Sequence, residues 1–353
     1  MKNRKLVAVI LSLVLILSTV ITGCGKSSDS KTEKTEAKNG KYKTIKIGYP
    51  SSGADWAGGT LAVADAKGYL NDYLHPLGYE AELTGFVGAA PAIHEALVSG
   101  DLDYAYYAGF AGIMANSNGI DTKLISVTNF GSIWQLAVSK DSGIKSLKDL
   151  KGKKIAYQRG ATPQMYILKV LEEAGLSADD VELLNSTIPE GISSLSSGAV
   201  DAAVVSYGQA DDLVDAGKAE VLHRGIEADS ATYYEPMVLL GRTEFVEDNK
   251  DVNVAIIEAM LKAKDDIKAD KEAYYKLASE KSGRTLDQIK QVEIDDIDYS
   301  YPISLDDEYL KSLKTIAKFE VDNKIIPKNI DVDAWADDTY LKQAVKEYNE
   351  STK

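Results

Sequence analysis

From Thr44 to Leu240, short apolar runs alternate with stretches of helical spacing, and this alternation narrows the fold more than any other property of the sequence. Strands that alternate with helices belong to α/β domains with a largely parallel sheet. Strands are expected at Thr44–Tyr49, with Ile45 and Ile47 on one face, at Glu80–Phe86, at Tyr104–Tyr107 and at Lys123–Asn129. Helices are expected at Thr60–Gly68, Pro91–Ser99 and Ala111–Asn116. From Trp134 a second unit of the same kind begins. Its strands are Trp134–Ser139, Ile155–Gln158, Val181–Leu184, Ala202–Ser206 and Val221–His223, and Pro236–Leu240 leads back out. Open sheets of this type bind ligands beyond the carboxyl ends of their strands, which singles out loops 50–59, 87–91 and 107–110.

The clearest local pattern runs from Gly152 to Gly175 and reads as strand, tight turn, helix. Arg159-Gly160 is the turn. Thr162 is a suitable N-cap, because its hydroxyl can accept from a free amide of the first helical turn. Pro163 follows where a missing N–H costs nothing. Met165, Leu168 and Leu171 recur at helical spacing, and Gly175 ends the helix. Such a turn aims unpaired N–H groups and the positive end of a helix dipole at one spot. Arg159 beside it supplies a charged fork, so the spot suits the acidic head group of a small ligand.

An internal echo links the two units. Residues 96–105, Ala-Leu-Val-Ser-Gly-Asp-Leu-Asp-Tyr-Ala, parallel residues 194–203, Ser-Leu-Ser-Ser-Gly-Ala-Val-Asp-Ala-Ala. Each is a helix end, a glycine terminator and an aspartate leading into a strand, after a proline-started helix at Pro91 or Pro189. The echo implies two lobes of like topology facing each other.

The amino terminus has a different character. Lys2, Arg4 and Lys5 precede an apolar run from Leu6 to Leu17, and small residues lead to Cys24, the one cysteine of the 353-residue chain. This is the pattern of a secretory signal, and the run is too short to span a membrane comfortably. Residues 25–40 hold no large apolar side chain and read as a flexible tether. The formal net charge is −14, and loss of the basic leader would make the remainder more acidic. That balance opposes nucleic-acid binding, which needs basic surface, and says little about a small ligand held in a local site.

The chain from Val252 onward reads as helical. Val254, Ile257, Met260 and Leu261 form one core-facing stripe, and Leu310, Leu313, Ile316 and Phe319 form another on a helix capped by Ser304. Acidic residues 294–298 lack the glycine and terminal glutamate of a calcium loop. The three histidines, His75, His94 and His223, have no second His, Cys or paired carboxylate at ligand spacing, so no metal site is expected. No nucleophile elbow or phosphate-binding loop is present, and no catalytic set emerges.

These residues together resemble the extracytoplasmic solute-binding proteins of ABC importers, nearest the nitrate, sulfonate and taurine binders. The resemblance covers nearly all of 42–340. It is carried by residues 141–161, Asp-Ser-Gly-Ile-Lys-Ser-Leu-Lys-Asp-Leu-Lys-Gly-Lys-Lys-Ile-Ala-Tyr-Gln-Arg-Gly-Ala, then by Leu171-Glu-Glu-Ala-Gly-Leu176, Glu95–Asp103, Gly198–Ala202 and Phe245–Asn249. Ile21-Thr22-Gly23-Cys24 resembles a lipobox, which implies residues 1–23 as a cleaved signal peptide, 24–41 as the tether, and lipid anchoring at Cys24 on the outer face of the cytoplasmic membrane. The resemblance implies an α/β, two-lobed periplasmic-binding-protein type II fold with a two-strand hinge. Lobe 1 would comprise 42–130 and 238–353, and lobe 2 131–237, with crossings near Val127–Trp134 and Glu235–Gly241. It further implies a monomer without enzymatic activity or cofactor, which delivers a small molecule to a permease and its ATPase.

The ligand-binding set expected from loops and resemblance is Ser51, Ser52, Asp55, Trp56, Gly88, Ala89, Tyr107, Trp134, Arg159, Gly160, Ala161, Thr162, Glu190, Tyr207 and Glu235. An alkyl sulfonate, taurine or a nitrate-like anion is the leading ligand. Two departures leave an alternative open. Sulfonate-type members often carry Trp-Asp-Pro where this chain has Ser206, Tyr207 and Gly208, and Asp55 in the first loop is unhelpful to an anion. Trp56, Tyr106, Tyr107, Trp134, Tyr166, Tyr207, Tyr233 and Tyr234 could stack on a flat body, so an aromatic or heterocyclic nutrient, such as a thiamine pyrimidine precursor, is the rival. A thiamine-pyrimidine synthase type of enzyme shares the fold but resembles chemistry that needs a cysteine-rich iron motif, which this chain lacks.

Overall fold

The computed structural model describes residues 41–352 apart from 52 and 293–295. The expected signal peptide, Cys24, most of the tether and Ser52 lie outside the described residues. No helix among the described residues is long and apolar enough to cross a membrane.

Among the described residues, ten strands form two five-stranded sheets. They are β1 (Lys43–Pro50), β2 (Tyr79–Phe86), β3 (Tyr104–Ala108), β4 (Thr122–Gly131), β5 (Trp134–Ser139), β6 (Lys154–Tyr157), β7 (Glu182–Asn185), β8 (Ala202–Ser206), β9 (Ala219–Arg224) and β10 (Glu235–Arg242). The first sheet has the order β2-β1-β3-β10-β4 and the second β7-β6-β8-β5-β9. The two orders are the same pattern, so the sequence echo reflects a repeated topology.

The repeat extends to individual bonds. The helix Ala89–Ser99 ends on left-handed Gly100, and the helix Ile188–Ser197 ends on left-handed Gly198. Asp103 Oδ2 accepts from the Lys46 amide at 3.0 Å, and Asp201 Oδ2 accepts from the Lys154 amide at 2.8 Å. In each lobe the aspartate just before a strand, β3 or β8, ties it to its parallel neighbour, β1 at Lys46 or β6 at Lys154.

Both sheets are mixed rather than largely parallel. β1 pairs in parallel with β2 and β3, but β10 runs antiparallel to both β3 and β4. In the second sheet β6 pairs in parallel with β7 and β8, while β5 runs antiparallel to β8 and β9. The exceptions have one cause. β5 and β10 are the strands that enter each sheet directly after a crossing between lobes. The other strands run toward the cleft, and a strand arriving from the cleft must run away from it.

The first crossing is residues 132–133, and the second is 225–234, where a short helix Ser230–Tyr233 intervenes. The second crossing therefore lies upstream of the expected Glu235–Gly241. That stretch is β10, paired on both sides in the middle of the first sheet.

The first sheet shares one apolar core with the carboxyl-terminal helices, through Ile45, Ile47, Ile257, Met260 and Leu313 among others. The helix Lys250–Ala269 buries Val254, Ile257 and Met260 as its spacing predicts. The helix Asp307–Asp322 buries Leu313 and Ile316, but its N-cap is Asp306. Ser304 instead forms an antiparallel bridge with Val127, because the chain there runs beside β4. The second sheet is apolar on both faces. Leu136, Val138, Ala202 and Val204 pack on one side, and Ala137, Ala203 and Val205 on the other. This double burial suits a sheet covered by helices on both faces.

Candidate functional site

A cavity of about 330 Å³ lies between the two sheets. Strand ends supply its wall. Pro50 ends β1, Gly131 ends β4 and Ser206 ends β8, while Trp134 opens β5 and Glu235 opens β10. The antiparallel arrival of β5 and β10 is what brings their first residues to the same edge as the carboxyl ends of the parallel strands.

Helix amino termini meet this wall. Gly59, Ala89, Thr162 and Ile188 each begin a helix and each line the cavity. Their free N–H groups and dipoles give the space a positive bias. Two backbone features mark the approach. Gly59 has φ +58, and a Cβ there would stand 2.4 Å from Asn129 Nδ2, so only glycine fits beside that amide. Ala89 holds φ 51 without being glycine, a strained conformation of the kind that clusters at ligand sites.

The charged centre of the wall is Arg284, in the loop between helices Lys271–Ser282 and Leu286–Lys290. Its Nη2 donates to Ser206 Oγ at 3.0 Å across the lobes. Burial lowers its pKa from the ordinary value, and no carboxylate among the described residues pairs with it. A cation removed from water without a counterion is stabilised by an anion that enters beside it. Two further polar atoms await partners. Tyr107 Oη and Ser132 Oγ are buried, line the cavity and have no hydrogen-bond partner among the described residues. Asn129 is oriented by Tyr106, whose hydroxyl donates to Asn129 Oδ1 at 2.8 Å.

Glu235 opposes this bias. It is 6% exposed, its Oε1 accepts from the Phe110 amide at 2.8 Å, and the Thr162 hydroxyl bonds it from the other lobe. Burial lifts its pKa to about 7, against the lowering effect of these hydrogen bonds and of Lys169. Apolar walls complete the site, with Trp56, Phe130, Trp134, Met237, Ile289 and Val292.

Of the expected set, Ser51, Trp56, Ala89, Tyr107, Trp134, Ala161, Thr162 and Glu235 line one cavity. The other described members lie off it. Arg159 is exposed, and its Nε donates to Tyr157 Oη at 3.1 Å, because its position past β6 turns the side chain away from the cleft. Gly160 spends its N–H on Gln164 Oε1 at 2.8 Å. Glu190 is consumed in a capping box with Thr187, whose N–H and hydroxyl hold its pKa below the usual range. Asp55 accepts from the Tyr49 hydroxyl at 2.8 Å, and Gly88 precedes the helix that Ala89 begins. Tyr207 donates to Gln291 across the lobes. Among the other expected aromatics, Tyr166 and Tyr233 pack around His223 in the second lobe. The Thr162 hydroxyl bonds Glu235, and Ala161 is the N-cap.

Arg284, Asn129, Ser132 and Ser206 were not expected. Asn129 and Ser206 each carried a signal, as the last residue of an expected strand. Arg284 reaches Ser206 over 78 residues of chain, a distance that local spacing does not encode.

The lobes touch around this cavity. Gln288 Nε2 donates to Asp211 Oδ2, and a Cβ on Gly160 would meet Pro91 at 3.3 Å. Met165, from the helix Thr162–Glu173, inserts into the core of the first lobe.

Comparison with known proteins supports this architecture. The family model described as NMT1/THI5 like matches residues 60–274, more than half of the chain. A protein of Bacillus subtilis (strain 168), named as a candidate aliphatic sulfonates-binding protein, is 28% identical over 344 residues, covering 96% of this chain and 97% of its own length. The alkanesulfonate-binding protein SsuA from Xanthomonas axonopodis pv. citri, solved bound to MOPS, superposes with a TM-score of 0.69 at 20% identity, over 84% of this chain and 98% of that one. The desulfurization enzyme DSZB superposes with a TM-score of 0.68 at 16% identity, over 87% and 99%. Residues, cavity and likeness agree: the chain belongs to the NMT1/THI5 like family and has the two-lobed fold of its sulfonate-binding structural neighbours.

Proposed function

We propose that the protein is the solute-binding subunit of an ABC importer and that its solute is a small organic anion of the sulfonate class, held between the lobes. The observation that carries this reading is Arg284, a largely desolvated cation in the cavity wall whose hydrogen-bond acceptor is a neutral serine. The converging helix termini and the unpartnered Tyr107 and Ser132 hydroxyls support it. The volume and the apolar walls favour an alkyl or aryl sulfonate over nitrate, which would leave most of the space unfilled. Ligand contacts would come from Ser51, Trp56, Ala89, Tyr107, Trp134, Ala161, Thr162 and Glu235 together with Arg284, Ser132, Ser206 and Asn129.

The rest of the assignment is part of the same proposal. Lobe 1 takes 42–131 with 235–353, and lobe 2 takes 132–234, because Glu235 to Met237 already pair with β4 in the first sheet. Cys24 carries the lipid that holds a monomer outside the cytoplasmic membrane, and the closed lobes dock on the permease. Relatives named as binding proteins favour transport over catalysis. A second reading, a heterocyclic ligand hydrogen-bonded to Glu235, is favoured by Trp56 and Trp134 in the same wall.

Calorimetric titration with 1-butanesulfonate, taurine, nitrate and an aminopyrimidine separates these readings. The sulfonate should bind tightest, and Arg284→Ala should weaken it by about 1.5–3 kcal/mol, the worth of a charged hydrogen bond. Binding of the pyrimidine alone, or an unchanged affinity in the variant, would overturn the anion assignment.

A further inference from the structure

We propose that this cavity takes in its anionic ligand together with a proton, and that Glu235 is the group that accepts it. The inference rests on the anion reading above. Glu235 already occupies a place that an anion would seek. Its carboxyl sits on the amino terminus of the helix Gly109–Ser117 through the Phe110 amide, and it also lines the cavity. A bound sulfonate and an ionised Glu235 would then share one cavity.

The groups around Glu235 leave it to decide the local charge. The helix Gly109–Ser117 carries no titratable side chain. From the helix Asp307–Asp322 comes Glu320, which is 0% exposed and has no hydrogen-bond partner for either carboxyl oxygen among the described residues. Burial and Glu235 itself push Glu320 up to about 10, so it is neutral near pH 7. From the helix Thr162–Glu173 comes Lys169, which favours the ionised form of Glu235 but is itself disfavoured by burial, and whose charge Glu172 also holds. From the loop between the carboxyl-terminal helices comes Arg284, the one Lys or Arg lining the cavity among the described residues. The three histidines do not line it, and His94 is held down to about 4 by burial.

An anion entering the cavity adds negative charge to the space that Glu235 lines, which favours the acid form of Glu235. Oε1 keeps the Phe110 N–H, and Oε2 becomes an O–H that can donate to a ligand oxygen. The sign of the pH effect follows. Below about 7 the carboxyl is protonated in free and bound protein, and affinity is highest. As pH rises from the free value toward the higher bound value, binding takes up a proton and affinity falls by up to about tenfold per pH unit.

Titration calorimetry of the protein with 1-butanesulfonate at pH 6, 7 and 8, in buffers of different ionisation heat, counts the protons. The expected count rises from near zero at pH 6 toward one at pH 8, while Kd rises. In Glu235→Gln the count should vanish and Kd should stop changing with pH. Sulfonate binding with no proton uptake in the wild type overturns this inference and leaves the anion reading standing, as does a Gln variant that keeps the wild-type count. A failure of 1-butanesulfonate to bind at every pH overturns both.

Discussion

Three carboxyl groups show how differently burial acts on single residues. Asp201 and Asp103 are held by backbone amides at strand entries, whereas Glu320 sits inside the first lobe with no bond to either oxygen among the described residues. A carboxyl raised to about 10 contributes stability that is complete below its unfolded value and is lost as pH climbs toward 10. Glu320→Gln should therefore flatten that decline. The difference in Tm between variant and wild type should shift in the variant's favour from pH 5 to pH 8, and a constant difference would contradict the assignment. Gly59 presents the opposite constraint, a residue defined by what it lacks. Gly59→Ala should cost about 1–3 kcal/mol from its positive φ and from displacing the Asn129 amide, measured by denaturant unfolding. If the unfolding free energy is unchanged, the contact with Asn129 is not a constraint. Side-chain direction was the least legible property in the sequence. Arg159 and Thr162 stand three positions apart, yet one faces solvent and the other the cavity. Spacing finds the turn, but the packing of the next helix decides which side chains enter it.

At the level of elements, most of the fold was legible. Apolar runs located the strands, and the proline and glycine limits of the helices near 91–99 and 189–197 matched the chain closely. The antiparallel strands were not legible, because strand direction is set by where the preceding crossing lies and not by residue pattern. Nor was the loop at Arg284, which reads as an ordinary break between two surface helices. The repeated aspartate allows a paired comparison. Asp103 holds the Lys46 amide and also meets Arg242 Nη2 at 3.2 Å, while Asp201 holds the Lys154 amide without a cationic partner among the described residues. Asp103→Ala should thus destabilise by about 1.5–3 kcal/mol and Asp201→Ala by about 0.5–1.5 kcal/mol. Equal losses on chemical unfolding would show that the arginine adds nothing.

At the scale of the whole molecule, sequence composition separated the body from its amino-terminal extension, and the topology of the body then explains its site. Five features, the ends of β1, β4 and β8 and the starts of β5 and β10, drawn from across nearly two hundred residues, share one edge because the lobes repeat one pattern and face each other. Contacts such as Gln288 with Asp211 hold the lobes together around the empty volume. Gln288→Ala should enlarge the ligand-free radius of gyration and leave the ligand-saturated value near that of the wild type. Identical scattering in both states would show that this contact does not bear on closure.

The place of β10 has a consequence for the order in which the chain can become a protein. β3 and β4 do not pair with each other, and each takes β10 as its partner. Until Glu235 to Arg242 has been synthesised, the first sheet has a slot between β3 and its edge strand β4, with an unpaired strand edge on either side. All strands of the second sheet, from Trp134 to Arg224, are contiguous and are complete before that slot can be filled. Closing it requires contacts across more than a hundred residues, the kind of pairing that is slow to form. The lobe that is made first is the one that is finished last.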